Sequence, residues 1–306
     1  MTTTEVLERG LWGILATPFQ GASRDIDLES LRRQVGLFTD IGAAGVVALG
    51  VFGEGAALDS REQAAVVSAV ADAARGTSVI VGLSALRTAP AIEQGRHVTA
   101  AGDGRVRALM VQLHSPRAEL LISHLTAIHQ ACGVGIVAQD YPVASGVSVS
   151  TDVLVDVVAA CPFVVAVKAE APPTALAIAR LTKRLDVPVF GGLGGVGLID
   201  ELAAGAAGAM TGFSRPEALL EAIRAYDDGG VAAAHAVYAK WLPLANFEAQ
   251  PGIGLALRKE ALRLRGILAD AAVRAPAPGF PAELGAVLNA HLDALDINED
   301  NRRLVG

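Results

Sequence analysis

The chain has 306 residues, 52% of them hydrophobic and 19% charged, which is enough apolar material for a large core and excludes a disordered protein. Its formal charge of -7 excludes a general affinity for nucleic acid or anionic membrane, since both require clustered cations, and leaves small molecules as the expected partners. Residues 1–10 carry Glu5, Glu8 and Arg9 with no apolar signal core, and the apolar stretch 153–169 is interrupted by Asp156, Pro162 and Lys168. A cytoplasmic protein without a membrane span is expected. Cys132 and Cys161 have neither metal nor redox spacing and read as small core residues in a reducing compartment.

Short β-branched runs alternate with longer amphipathic stretches from residue 11 to about residue 225. Strands are predicted over 13–17, 45–50, 78–83, 108–113, 135–139, 164–168, 187–191 and 208–211. The intervening helices carry start signals: Asp27 and Ser30 open the first, Asp59-Ser60-Arg61-Glu62 caps the second, Thr88 and Pro90 begin the third, and Pro172-Pro173 precede the sixth. Gly42, Gly76, Gly102, Gly133 and Gly205 fall where helices should end in a left-handed residue. After Thr211 only helices are predicted, over 216–227, 231–247, 252–264 and 281–295, with a loop at 273–280. Eight parallel strands with crossover helices close a (β/α)8 TIM barrel, predicted for 1–225, and 226–306 form a C-terminal helical extension packed on the barrel or at a subunit interface. An open doubly wound sheet shows the same alternation, but no Gly-x-Gly-x-x-Gly turn follows the first strand.

In such a barrel the carboxyl ends of the strands converge on one mouth. Thr17, residues 50–54, Ser84, His114, Ser115, residues 139–141, Lys168, Glu170, residues 191–194 and Thr211 are then its candidate lining. Lys168 is one of only four lysines and closes the apolar run Phe163-Val164-Val165-Ala166-Val167. A poorly hydrated amine there would attack carbonyl carbon; the alternative is a rim lysine paired with Glu170. The run Gly191-Gly192-Leu193-Gly194-Gly195 is either an anion-binding turn or a tight turn before a helix. Gly192 and Met210, near the ends of the last two strands, are further candidate substrate contacts.

Four segments carry a resemblance over nearly the whole chain: Ala16-Thr17-Pro18-Phe19; Gly50-Val51-Phe52-Gly53-Glu54 followed by Leu58, Arg61 and Glu62; Gln139-Asp140-Tyr141-Pro142-Val143-Ala144-Ser145-Gly146; and Val167-Lys168. In their order and their placement at strand ends they resemble the dihydrodipicolinate synthase and N-acetylneuraminate lyase family of Schiff-base lyases. The resemblance implies a barrel, commonly in homotetramers, in which Lys168 condenses with the ketone of pyruvate or a related 2-oxo acid. It implies no cofactor and no metal, because the iminium itself is the electron sink. It also implies a substrate carboxylate held by the main-chain N–H groups of Val51, Phe52 and Gly53, and a largely architectural Glu54.

The chain departs from the synthase pattern in several places. Val51 and Phe52 stand where synthases carry two threonines, Gln139 where they carry a proton-shuttling tyrosine, and Ala144 where they carry the arginine for the second substrate. Tyr141 adjoins the proline and is expected on the opposite side of the strand. The lysine chemistry can survive these losses, but the usual relay and recognition of aspartate semialdehyde cannot. An aldolase or hydro-lyase acting on pyruvate or a 2-keto-3-deoxy sugar acid is therefore expected in place of a lysine-biosynthetic synthase. Proton transfer would fall to Asp140, Glu54, His114 or a water on Gln139, with a loop hydrogen bond as the other reading of His114. Glu170 would hold Lys168 as an ion pair. Two alternatives stay open: a non-catalytic barrel that binds a 2-oxo acid or sugar acid, and a phosphate-sugar enzyme using 191–195 as its anion turn.

Overall fold

The computed structural model describes residues 5–303. The first four residues of the 1–10 stretch and the last three of the 226–306 extension lie outside the described residues. Eight parallel strands form the sheet: β1 Gly10–Ile14, β2 Gly45–Ala48, β3 Ser78–Gly82, β4 Val106–Gln112, β5 Gly135–Asp140, β6 Val164–Ala169, β7 Val189–Phe190 and β8 Gly208–Thr211. Each pairs with its sequence neighbour from β2 to β7, β1 pairs with both β2 and β8, and the seam between β7 and β8 closes at Gly191 and Ala209. Main-chain bonds from Ala207 N to Val189 O (2.8 Å) and from Met210 N to Gly191 O (2.9 Å) complete the seam. The result is the expected (β/α)8 barrel.

Five strands differ from the sequence reading by one or two residues at an end, and the first and seventh differ more, for local reasons. The first strand starts and ends three residues early, because the backbone of Ala16 is paired with the Gln34 side chain at both N (2.8 Å) and O (3.0 Å) instead of with a neighbouring strand. Strand β7 keeps only Val189 and Phe190, with Gly191 held by a single bridge to Ala209, and the chain turns out of the sheet from Gly192.

The helix signals operate as read. Asp27 accepts from Glu29 N and Ser30 N, and Asp59 with Glu62 forms a capping box on helix Ser60–Ala73. Gly102 is a correction: it ends helix Thr88–Ala101 with a right-handed φ of -79°, and the left-handed residues are the next two, Asp103 and Gly104. Beyond the barrel, helix Pro216–Tyr238 breaks at Gly229 and Gly230, and helices Leu242–Glu248, Gly254–Leu264 and Gly285–Arg303 follow. These segments are tied to the barrel by Arg265 Nη1 to Ser214 O (2.8 Å), Arg33 Nε to Ile267 O (3.1 Å) and the Arg274–Glu62 pair. Among the described residues no helix is long and apolar enough to cross a membrane.

Two layers of core set the site. Helices cover the outside of the sheet, while Trp12, Ile14, Val47, Ile80, Met110, Val137, Phe190 and Met210 fill the barrel interior. Lys168 therefore stands on an apolar floor.

Candidate active site

Strand alternation sends every second residue into the barrel. On β4 these are Ala108, Met110 and Gln112, and on β5 Val137 and Gln139; the register then sets Gln112 beside Gln139 and Gln139 beside Lys168. Three polar side chains thus form one row above the floor. Lys168 is only 5% exposed, and its Nζ lies 3.1 Å from Glu170 Oε2. The same oxygen accepts from Gln139 Nε2 at 2.7 Å.

Glu170 is held there by its own backbone and by a glycine. Its N–H donates to Asp140 O (2.9 Å), continuing the β5–β6 pairing one step past the strand, and Leu193 N–H reaches its Oε1 at 3.5 Å. A Cβ on Gly192 would overlap that carboxylate. The glycine turn after β7 is accordingly packed by the protein's own groups: Glu170 takes Leu193 N–H, and Thr211 Oγ1 takes Gly194 N–H at 2.8 Å. That geometry weighs against a phosphate site in 191–195.

The turn after β2 is different. Glu54 N bonds back to Val51 O (3.1 Å) and Thr17 Oγ1 donates to Gly53 O (2.6 Å), fixing the loop. The N–H groups of Val51, Phe52 and Gly53 donate to no acceptor among the described residues. Consecutive main-chain N–H groups left free in a turn can bind an anion. Val51 and Gly50 line a cavity of about 240 Å³ together with Ser84, Met110, Gln112, Gln139 and Ala144. Lys168 is not in this lining and stands one strand beyond it, beside Gln139.

Glu54 also lines this cavity, but its carboxylate is committed elsewhere. Its two oxygens take Lys259 Nζ and Arg274 N–H (2.8 Å), so it anchors the turn to the C-terminal helices.

Other predicted residues fall in various places. Asp140 is 4% exposed, has one oxygen without a partner, and is pushed up to about 6 by burial and then by the nearby Glu170 charge. Tyr141 is half-buried, and burial followed by the Glu170 charge raises its phenol, with Arg258 opposing. Strand β5 stops at Asp140 and the chain turns into helix Pro142–Ser145, so strand parity does not extend to Tyr141. His114 packs edge-on to His124, with ring centroids 4.4 Å apart, its Nδ1 has no partner, and burial followed by the Arg87 charge lowers its pKa. It is turned to the helix layer and does not line the cavity. Met210 is fully buried in the floor, below the polar row.

The sequence reading missed Gln112 and Arg258. Gln112 closes the apolar strand β4 at the inward parity of Met110, which was a usable signal; its Oε1 is buried without a partner. Arg258 comes from helix Gly254–Leu264 and lies over the mouth, its guanidinium carbon 5.3 Å from the Phe52 ring centroid.

An ionisable cluster on the inner wall of a closed parallel barrel, at the carboxyl ends of its strands, is the architecture of the (β/α)8 enzymes. The profile of the dihydrodipicolinate synthetase family matches residues 8–294, and the chain belongs to that family of lyases. It is 27% identical over 296 residues to an L-2-keto-3-deoxyarabonate dehydratase of Azospirillum brasilense, covering 94% of each chain. With a 4-hydroxy-tetrahydrodipicolinate synthase of Methanothrix thermoacetophila it shares 28% identity over 240 residues, 77% of this chain and 80% of the relative. The crystal structure of a dihydrodipicolinate synthase from Rhodopseudomonas palustris superposes with a TM-score of 0.87 at 29% identity, covering 95% of this chain and 99% of that one.

Proposed function

We propose that the protein is a lyase that forms a Schiff base between Lys168 and pyruvate or a 2-keto-3-deoxy sugar acid, then eliminates water or cleaves the adjacent carbon–carbon bond. The observation that carries this reading is the placement of Lys168 Nζ in the inner polar row, 3.1 Å from a carboxylate that also binds Gln139. Glu170 is placed to take the ammonium proton, leaving an amine able to attack C2 of the acid. The carbonyl oxygen picks up protons and departs as water, giving an iminium. Loss of a C3 proton then makes an enamine, which expels the C4 hydroxyl with a proton as water. In the aldolase variant, the C3–C4 electron pair flows into the iminium while the C4 hydroxyl loses its proton. Hydrolysis of the final imine releases Lys168.

The free N–H groups of Val51, Phe52 and Gly53 suit the substrate's C1 carboxylate. Dehydration is the favoured outcome. Val51 and Phe52 offer no hydroxyls for the synthase relay, Gln139 no phenol and Ala144 no cation, while Glu170 beside the lysine supplies an acid–base group of another kind. Its presence also favours catalysis over a purely binding role. Incubation with a 2-keto-3-deoxy sugar acid should give a 2-oxo acid product lighter by one water, without release of pyruvate. Efficient condensation of pyruvate with aspartate semialdehyde would contradict it, and so would stabilisation by sugar acids that persists in full in Lys168→Ala without turnover. The family resemblance supports a homotetramer, which a light-scattering mass of one chain would remove.

A further inference from the structure

The Arg258 guanidinium is buried to all but 13% of its side-chain surface and stands between the turns that follow β2 and β7. It lies above the Phe52 ring, and a Cβ on Gly194, whose φ is 74°, would overlap one of its terminal nitrogens. Glycine at 194 thus clears the space in which the cation sits. Leu193, the residue before Gly194 in the same turn, directs its N–H at Glu170 Oε1, the carboxylate that holds Lys168, so the cation and the lysine meet the same turn.

Among the described residues the cation has a counterion but no hydrogen bonds. Its nearest carboxylate oxygen is Glu248 Oε2, 3.7 Å from Nε, beyond hydrogen-bond distance, and Nε is buried without a partner. Glu248 is already satisfied by Ser214 N (3.1 Å) and Ser214 Oγ. Glu170 is likewise occupied by Gln139 and Lys168. A guanidinium carries five donors in a planar fork, and none of them is used among the described residues. Burial lowers its pKa, so the site holds this charge at a cost in solvation that fixed partners would normally offset.

Resting on the Schiff-base reading for the position of the ketone, we propose that Arg258 is the specificity-determining residue for a second carboxylate, so that the preferred substrates are 2-oxo acids with an anionic distal end. A planar carboxylate matches the free fork of one guanidinium. A phosphate dianion would need further donors, and the neighbouring Leu193 and Gly194 N–H groups are committed to Glu170 and Thr211.

The test uses ligands that cannot form an imine, so it does not depend on Lys168 chemistry. Calorimetry of the full chain with 2-hydroxyglutarate and with 2-hydroxypentanoate, of matched length, should show the dicarboxylate binding at least tenfold more tightly. Arg258→Met should abolish that preference while leaving 2-hydroxypentanoate affinity unchanged, and Arg258→Lys should restore part of it. Equal affinity of the unsubstituted protein for the two acids overturns the assignment without any variant, as does a preference that survives in folded Arg258→Met, or tighter binding of a phosphorylated hydroxy acid than of the dicarboxylate. A retained preference in a protein that forms no imine with 2-oxo acids would support the Arg258 site and count against the Schiff-base reading alone.

Discussion

Lys168 and Lys259 are both buried lysines facing a glutamate, yet their surroundings differ in kind. Lys259 is fully buried, donates to Glu54 and to Ala272 O (2.8 Å), and has its ammonium 4.4 Å from the centroid of the Phe19 ring, while the other Glu54 oxygen takes Arg274 N–H. Every polar atom there is used. Lys168 has one contact, at 3.1 Å, with a carboxylate it shares with Gln139, and it keeps 5% of its surface exposed. A closed node of satisfied charges serves to hold elements together, here the β2 turn and the C-terminal helices. An amine with spare donors and a neighbouring base is free to react.

Substituting each lysine should separate the two roles. Lys168→Ala is expected to lower turnover by about three orders of magnitude or more, with a stability loss of under about 2 kcal/mol because Glu170 keeps Gln139. Lys259→Met leaves Glu54 without its cation and should cost about 3–5 kcal/mol, read by denaturant unfolding. Similar stability losses in the two would break the contrast.

Glu170→Gln sharpens it on the acid–base side. Gln139 keeps an acceptor, so the fold should hold, but kcat should fall about 100-fold. An unchanged kcat would hand the proton work to another group, with Asp140 the next in place.

The smallest effect concerns Glu201, a buried carboxylate bonded to Thr174 Oγ1 (2.7 Å), with one oxygen unpartnered and no paired cation among the described residues. Burial pushes it up from 4.5 to about 7, with Thr174 opposing. A raised carboxyl binds its proton more tightly in the folded state. Stability should therefore fall as pH rises from about 4.5 through about 7, by on the order of 1–3 kcal/mol. Glu201→Gln should flatten that slope in unfolding measured at pH 5 and pH 8; an identical slope would show that Glu201 does not titrate in this window.

Much of this was legible in the sequence, and the failures have a pattern. The β-branched runs give the eight strands because burial on both faces demands them, and the Asp59–Glu62 capping box is a local code. Lys168 and Glu170 were readable as a pair since two residues apart in an extended chain share a face. Strand parity found Gln139 but does not extend to Tyr141, because it lapses where the strand ends. His114 was assigned to the mouth from its distance along the chain, whereas its packing against His124 depends on a helix whose position the local sequence does not encode. Arg258 and Lys259 were unreadable for the same reason: their partners, Phe52 and Glu54, lie about 200 residues away. Only the polar Lys259 among the buried Ala256, Leu257, Ala261 and Leu262 hinted that this helix carries more than packing.

Borohydride reduction of the protein mixed with pyruvate or a 2-keto-3-deoxy sugar acid, followed by peptide mass mapping, tests the central claim most directly. The account predicts a single reduced adduct on the peptide containing Lys168, absent in Lys168→Ala and absent from Lys259. No adduct under turnover conditions, or one confined to another lysine, would contradict it.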